Sequence, residues 1–219
     1  MKKMIVVCGV PRSGTSLVCQ GLERLGVSFG GPLIPADEAN PWGYYEHRRL
    51  LELTTWLVCC EDPEHPTKWF TPEPLRRSVR VRGRYTVEDE IAEVLVGEMS
   101  SVELFAWKTP LVARLASDFR HIFSHIEVEP VYVHALRDPS AVYVSTLAAN
   151  GGKDTSEYYS RFLLTWARMV TETRDLGTAH EVWYEDWREY GPQIVLDKMA
   201  DALALPRADA SGLLKEREA

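Results

Sequence analysis

The sequence predicts an α/β fold in three layers, a mainly parallel sheet flanked by helices. Short apolar runs rich in β-branched residues alternate along the chain with longer segments of helical spacing, the pattern of a parallel sheet with crossover helices. The first of these runs leads through a glycine loop directly into a helix. The 219 residues are 45% hydrophobic and 26% charged, a globular composition that rules out a disordered, collagen-like or coiled-coil chain. At very roughly 150 residues per domain this length suits a single domain over 1–219. Such a chain buries on the order of 70% of its unfolded surface, so it needs no disulfide or metal to hold a core.

Met4–Cys8 is a strand buried on both faces, bounded by Gly9 and Pro11. Gly14–Leu25 follows as a helix, with Leu17, Val18, Leu22 and Leu25 on one face and Gly26 as its stop. Further strands are expected at Val102–Trp107, Val128–Leu136 and Glu181–Tyr184. Further helices are expected at Glu46–Cys60, Val87–Met99, Leu111–Phe123, Ser140–Ala149, Glu157–Arg174 and Gln193–Leu203. Residues 61–85 break the rhythm with Pro63, Pro66, Pro72 and Pro74, then an arginine-rich run. They read as an irregular Pro/Arg-rich insert or lid.

The net charge is −7, which argues against a nucleic-acid partner. The cysteines Cys8, Cys19, Cys59 and Cys60 show no metal-ligand spacing, so a reduced, cytoplasmic protein is expected and no metal is. Met4–Val10 resembles a signal peptide in apolarity, but Pro11-Arg12 ends the run after about seven residues. No stretch reaches the ~20 apolar residues of a membrane helix. A soluble chain without an anchor is the expectation.

Gly9-Val10-Pro11-Arg12-Ser13-Gly14-Thr15-Ser16 fits most of G-x-x-x-x-G-K-[ST]. Its glycines let successive N–H groups curl around an anion, and the helix that follows adds partial positive charge. The expected fold is therefore like that of P-loop nucleotide-binding proteins. Thr15 stands where the lysine that reaches the terminal phosphates of a nucleoside triphosphate belongs. Arg12 is the loop's only cation. The alternative is a plain strand-to-helix turn with Ser13 as its cap. A second anion site is suggested by Arg137 at the end of the longest predicted strand, with Ser145 eight residues on. Here the alternative is a helix cap at Asp138-Pro139 beside a surface arginine. Together the two motifs suggest a ligand with phosphate-like groups at two separated positions.

In these motifs the sequence resembles the sulfotransferases that use 3′-phosphoadenosine-5′-phosphosulfate (PAPS). GVPRSGTS looks like their 5′-phosphosulfate loop, LRDPSAVYVS like their 3′-phosphate motif, and Trp183-Tyr184-Glu185-Asp186 is similar to a Y-E-D segment after a late strand. The three occur in the family's order. The resemblance implies that Arg12, Ser13, Gly14, Thr15 and Ser16 hold the phosphosulfate, that Arg12 neutralises charge on the bridging oxygen, and that Arg137 and Ser145 bind the 3′-phosphate. Tyr184 would lie near the nucleotide, or be a buried strand-end tyrosine. PAPS would be the co-substrate and 3′-phosphoadenosine-5′-phosphate (PAP) the product. The acceptor would be a small-molecule, carbohydrate or peptide hydroxyl, or an amine.

Trp107-Lys108-Thr109-Pro110 resembles a K-T-H segment of the family's cytosolic branch, with Lys108 matched and Pro110 in place of the histidine base. Lys108 would sit near the sulfuryl group, or be an exposed strand-end lysine. Other branches take a glutamate after the first helix as base, which implies Glu46, with His47, Asp37 and Glu38 as alternatives. Glu46 could equally serve as a favourable charge in the first turn of its helix. Arg76, Arg77, Arg80, Arg82 and Arg84 would be a solvated basic loop or a lid that attracts an anion. Trp42, Tyr44, Tyr45, Trp69, Phe70 and Tyr85 could line an acceptor pocket. Two rival readings are a P-loop small-molecule or nucleotide kinase and a non-catalytic nucleotide-binding domain. The acceptor and the oligomeric state are not legible.

Overall fold

The computed structural model describes residues 3–38, 40–58, 80–82, 85–110, 115–150, 155–177 and 179–213. Four strands, β1 (Lys3–Cys8), β4 (Phe105–Lys108), β5 (Glu129–Leu136) and β6 (Ala179–Trp183), form one sheet in the order β4-β1-β5-β6. Every pairing is parallel, with Val7 opposite both Lys108 and Val133. All four C-terminal ends therefore lie along one edge, where ligands bind in open α/β sheets.

β1 shows why this must be layered. Its side chains alternate between two faces, and both faces are buried. Met4, Val6 and Cys8 join a core with α2 (Arg48–Val58), α3 (Val87–Ser101) and α4 (Ala116–His125). Ile5 and Val7 join a second with α1 (Thr15–Arg24) and α8 (Pro192–Leu203). In the first core Trp107 meets Phe119 edge to face at 4.8 Å. A third cluster gathers Val10 with α5 (Pro139–Asn150) and α6 (Ser156–Arg174). The three-layer, mainly parallel α/β arrangement is the one expected.

Some boundaries differ. The strand placed at Val102–Trp107 begins only at Phe105, where Ser28 pairs with it, and runs on to Lys108. The helix placed at Glu46–Cys60 begins at Arg48, and Glu46 precedes it because its carbonyl accepts from the Ile34 N–H at 2.8 Å. The strand placed at Glu181–Tyr184 ends at Trp183. Tyr184 instead opens a short helix not anticipated, α7 (Tyr184–Glu189). α3 starts where expected because Thr86 and Asp89 cap it reciprocally. Within the stretch expected to be irregular, β2 (Arg80–Arg82) and β3 (Tyr85–Thr86) form an antiparallel pair. The rest of the 61–85 insert, including Arg76, Arg77, Arg84, Trp69 and Phe70, lies outside the described residues, as do Cys59 and Cys60. Cys8 and Cys19 are free and buried, and burial pushes both thiols well above their ordinary pKa. Among the described residues no helix is long and apolar enough to cross a membrane.

Candidate active site

At the C-terminal edge of the sheet lies a cleft of about 310 Å³. The loop after β1, the ends of β4 and β5, the first residue of α7 and the segment before α2 all reach it.

The glycine loop supplies the floor. Gly14 caps α1 at φ +91°, in the left-handed region that glycine adopts freely. A Cβ there would lie 2.7 Å from Tyr184 Cδ2. No side chain caps α1, and helix geometry leaves the Thr15 and Ser16 N–H groups without intrahelical acceptors. Both residues line the cleft. Ser13 does something other than the resemblance implied. It is buried, its hydroxyl is shared between the carbonyls of Val10 (2.6 Å) and Ala135 (3.0 Å), and its N–H goes to Val10. Ser13 therefore ties the loop to β5 and does not line the cleft.

Arg12, which also lines the cleft, has φ +72°, a left-handed conformation uncommon outside glycine. Its Nε donates to Ser145 Oγ at 3.0 Å. Arg137 donates in turn to the Arg12 carbonyl at 3.3 Å. The two anion motifs, expected at separated positions, thus share hydrogen bonds along one wall. Arg137 also stacks on the Tyr184 ring, and its Nε is buried without a hydrogen-bond partner among the described residues. Such an orphaned donor fits an anion. The turn that carries Arg137 is pinned from two sides. Asp138 Oδ1 accepts from the Ser140 and Ala141 N–H groups, and the Asp138 N–H donates to Glu185 Oε1 at 3.1 Å. Tyr184, in contact with Gly14 and Arg137, lines the cleft from the start of α7.

On the opposite wall Lys108 is only 5% exposed, so it is not a surface lysine. Its Nζ donates to the Tyr44 carbonyl at 2.9 Å and to Glu46 Oε1 at 2.5 Å. Glu46, 13% exposed, lines the cleft beside Lys108 and Pro110.

The alternatives to Glu46 are occupied elsewhere. His47 is buried and caps α2 by accepting the Leu50 N–H on Nδ1. Asp37 accepts from the Tyr44 hydroxyl at 2.8 Å, and neither it nor exposed Glu38 lines the cleft. Burial, and then the Asp37 carboxylate, raises the Tyr44 hydroxyl above its ordinary pKa, so it stays a donor.

Asn40 was not anticipated. Its side-chain amide donates to Ser16 Oγ at 3.3 Å and to the Gly43 carbonyl at 2.5 Å, joining the glycine loop to the opposite wall. Asn40-Pro41 marks a turn in the sequence, but nothing in the spacing links it to Ser16. Trp42 and Tyr44 also line the cleft, whereas Tyr45 packs edge to face on Phe29 at 5.1 Å. No group of three His, Cys, Asp or Glu residues among the described residues is arranged to hold a metal.

No family model matches the sequence, and no curated protein matches it. Among solved structures, the sulfotransferase domain from the Synechococcus PCC 7002 olefin synthase is similar to this chain. The TM-score is 0.58 and the identity 21%, over 97% of this chain and 76% of that one. TT1252 from Thermus thermophilus is more distant, with TM-score 0.45 and 13% identity over 93% and 96% of the two chains. The first likeness shows the fold: an α/β fold like that of a sulfotransferase domain.

Proposed function

We propose that the protein is a PAPS-dependent sulfotransferase that moves a sulfuryl group to a hydroxyl or amine acceptor by in-line displacement. The observation that supports this best is the cleft itself. Arg12, Arg137 and Ser145 line one wall, and a carboxylate paired with a buried lysine lines the other, across the open N-terminus of α1.

In this reading the Thr15 and Ser16 N–H groups and hydroxyls, with Gly14, hold the 5′-phosphosulfate. Ser13 shapes the loop from behind. Arg137 and Ser145 take the 3′-phosphate, and Tyr184 backs Arg137. The acceptor oxygen forms a bond to sulfur while the bond from sulfur to the bridging oxygen breaks, and PAP leaves. Arg12 and Lys108 face charge that builds on the departing and equatorial oxygens. Lys108 holds Glu46 Oε1, which leaves Oε2 to take the acceptor proton. Positioning and charge stabilisation carry the reaction, as in phosphoryl transfer. The sulfuryl group has less negative charge than a terminal phosphoryl, so fixed side-chain cations can suffice.

Thermal shift with PAP and Mg-ATP at equal concentrations, followed by transfer from PAPS to an acceptor library, tests the reading. PAP at ~100 times its dissociation constant should add about 2.7 kcal/mol of apparent stability. Stabilisation by Mg-ATP alone would favour a kinase. PAP binding without turnover across the library would favour a non-catalytic domain.

A further inference from the structure

Glu46 has its side chain on Lys108, but its backbone is placed by a second set of contacts that begins on another helix. The Glu46 carbonyl accepts the Ile34 N–H at 2.8 Å, and the Arg48 N–H donates to the Pro32 carbonyl at 2.9 Å. Between them His47 pairs with Leu33 in an isolated bridge. The segments on either side of the cleft wall are thus zipped together with His47 at the middle.

His47 is 4% exposed, and both of its ring nitrogens are engaged. Nδ1 accepts the Leu50 N–H at 3.3 Å. That contact requires Nδ1 to be unprotonated, so Nε2 carries the hydrogen. Nε2–H faces the Gly31 carbonyl at 3.1 Å and Glu98 Oε1 at 3.2 Å. Glu98, on α3, is itself 19% exposed and packs so closely over the strap that a Cβ on Gly30 would fall 2.1 Å from its Oε2. One imidazole therefore joins the start of α2, the Gly31 turn and α3.

Resting on the sulfotransferase reading, we infer that Glu98 and His47 are positioning residues that act through the backbone. Glu98 fixes the His47 ring, and the ring fixes the peptide that aims the Glu46 carboxylate at the cleft. Neither residue lines the cleft. A base displaced by about 1 Å can cost ~10²-fold in rate, which is ample reason for a buried support of this kind.

His47→Asn separates capping from positioning. The Asn Oδ1 keeps the preferred helix cap, but the side chain is too short to reach Gly31 and Glu98. Glu98→Ala removes the same link from the other side, and Glu98→Gln restores an acceptor for Nε2–H. The readouts are single-turnover transfer from PAPS, PAP affinity, and amide exchange at Ile34 and Arg48. Transfer should slow at least about tenfold in His47→Asn and Glu98→Ala, with PAP affinity within about twofold of wild type and faster exchange at both amides. Glu98→Gln should recover most of the rate. If His47→Asn fails to fold, Glu98→Ala carries the test alone. Unchanged transfer and unchanged exchange would overturn the inference, as would an equal loss of PAP affinity and rate. A wild-type protein that transfers no sulfuryl group defeats the sulfotransferase reading instead. Amide exchange then decides the positioning role by itself: faster exchange supports it and unchanged exchange overturns it.

Discussion

The Arg137 guanidinium carbon lies 4.3 Å from the centroid of the Tyr184 ring. The same ring is what a side chain on Gly14 would strike. Tyr184 is thus a spacer between the glycine loop and the arginine, and a cation–π contact of this kind contributes ~0.5–2 kcal/mol. The arginine's reach into the cleft is set by a residue 47 positions later than itself, at the other side of a strand pairing between Leu136 and Trp183.

Gly14→Ala should therefore disturb both the glycine loop and the wall that carries Arg137. It puts a Cβ at φ +91° and 2.7 Å from Tyr184 Cδ2. The left-handed backbone alone costs ~1–2 kcal/mol, and the contact adds to it. Urea denaturation should show the loss. Adding Tyr184→Ala should recover the steric part and leave the backbone part, and strictly additive effects of the two changes would contradict the spacer role.

In the proposed function Arg137→Ala should weaken PAP binding, because a contact to a remote phosphate would be made equally in ground and transition states. Arg12→Ala should mainly slow single-turnover transfer, because in the proposed function it meets charge that develops during the reaction. Calorimetric PAP titration and rapid-quench assays separate the two. If both variants lose affinity equally and Arg12→Ala shows no further loss of rate, the division of labour is wrong.

The Lys108–Glu46 pair should behave as a coupled buried unit. Lys108→Met strands a carboxylate, which typically costs ~3–5 kcal/mol. The double variant Lys108→Met with Glu46→Gln removes both charges and should be the more stable of the two. Glu46→Gln alone should slow transfer by ~10²–10⁴ with PAP affinity little changed. A double variant whose destabilisation is the sum of the single ones would show that the two groups are not coupled in the folded chain.

His134 predicts an acid limb in stability. It sits in β5 between Cys8 and Glu181, fully buried, with neither ring nitrogen hydrogen-bonded among the described residues. Burial lowers its pKa to about 4, against the small opposing pull of Glu181. An unfolded histidine titrates near ~6.5. Between those values the unfolded state holds a proton that the native state refuses, so stability falls as pH drops. The full effect is on the order of 3 kcal/mol. Urea midpoints at pH 7.5 and 4.5 should reveal it, and His134→Leu should flatten the dependence. An equally steep acid limb in that variant would assign the effect to other groups.

The sheet was legible because β1 and β5 are apolar runs bounded by glycine, proline or charge, and burial on both faces leaves little else for them to be. The glycine loop and Arg137 were legible because their chemistry is local in sequence. Two kinds of feature were not. Tyr184 opens a helix directly after the short strand β6, which carries His180 and Glu181 and so has no periodicity to mark the boundary. Asn40 and Glu98 act through partners 24 and 51 residues away, Ser16 and His47, and such pairings are made only by tertiary packing. Ser13 shows the reverse case. A hydroxyl in an anion-binding motif suggests a ligand contact, but this one turns inward because two carbonyls at the loop's back need a donor.

The strand order has a consequence for how the chain comes into being. β1 is made first, yet it sits inside the sheet, and its neighbours are β4 and β5. The bond from Cys8 to the Val133 carbonyl spans 125 residues. At a synthesis rate of about 5–20 residues per second, β1 must wait on the order of ten seconds for that partner to emerge. During that interval a strand apolar on both faces has no sheet to join. Its pairings have a high contact order, which slows folding even after the whole chain is available. The nascent protein is thus expected to lean on a holding chaperone, and refolding from urea should yield more native protein at low concentration than at high.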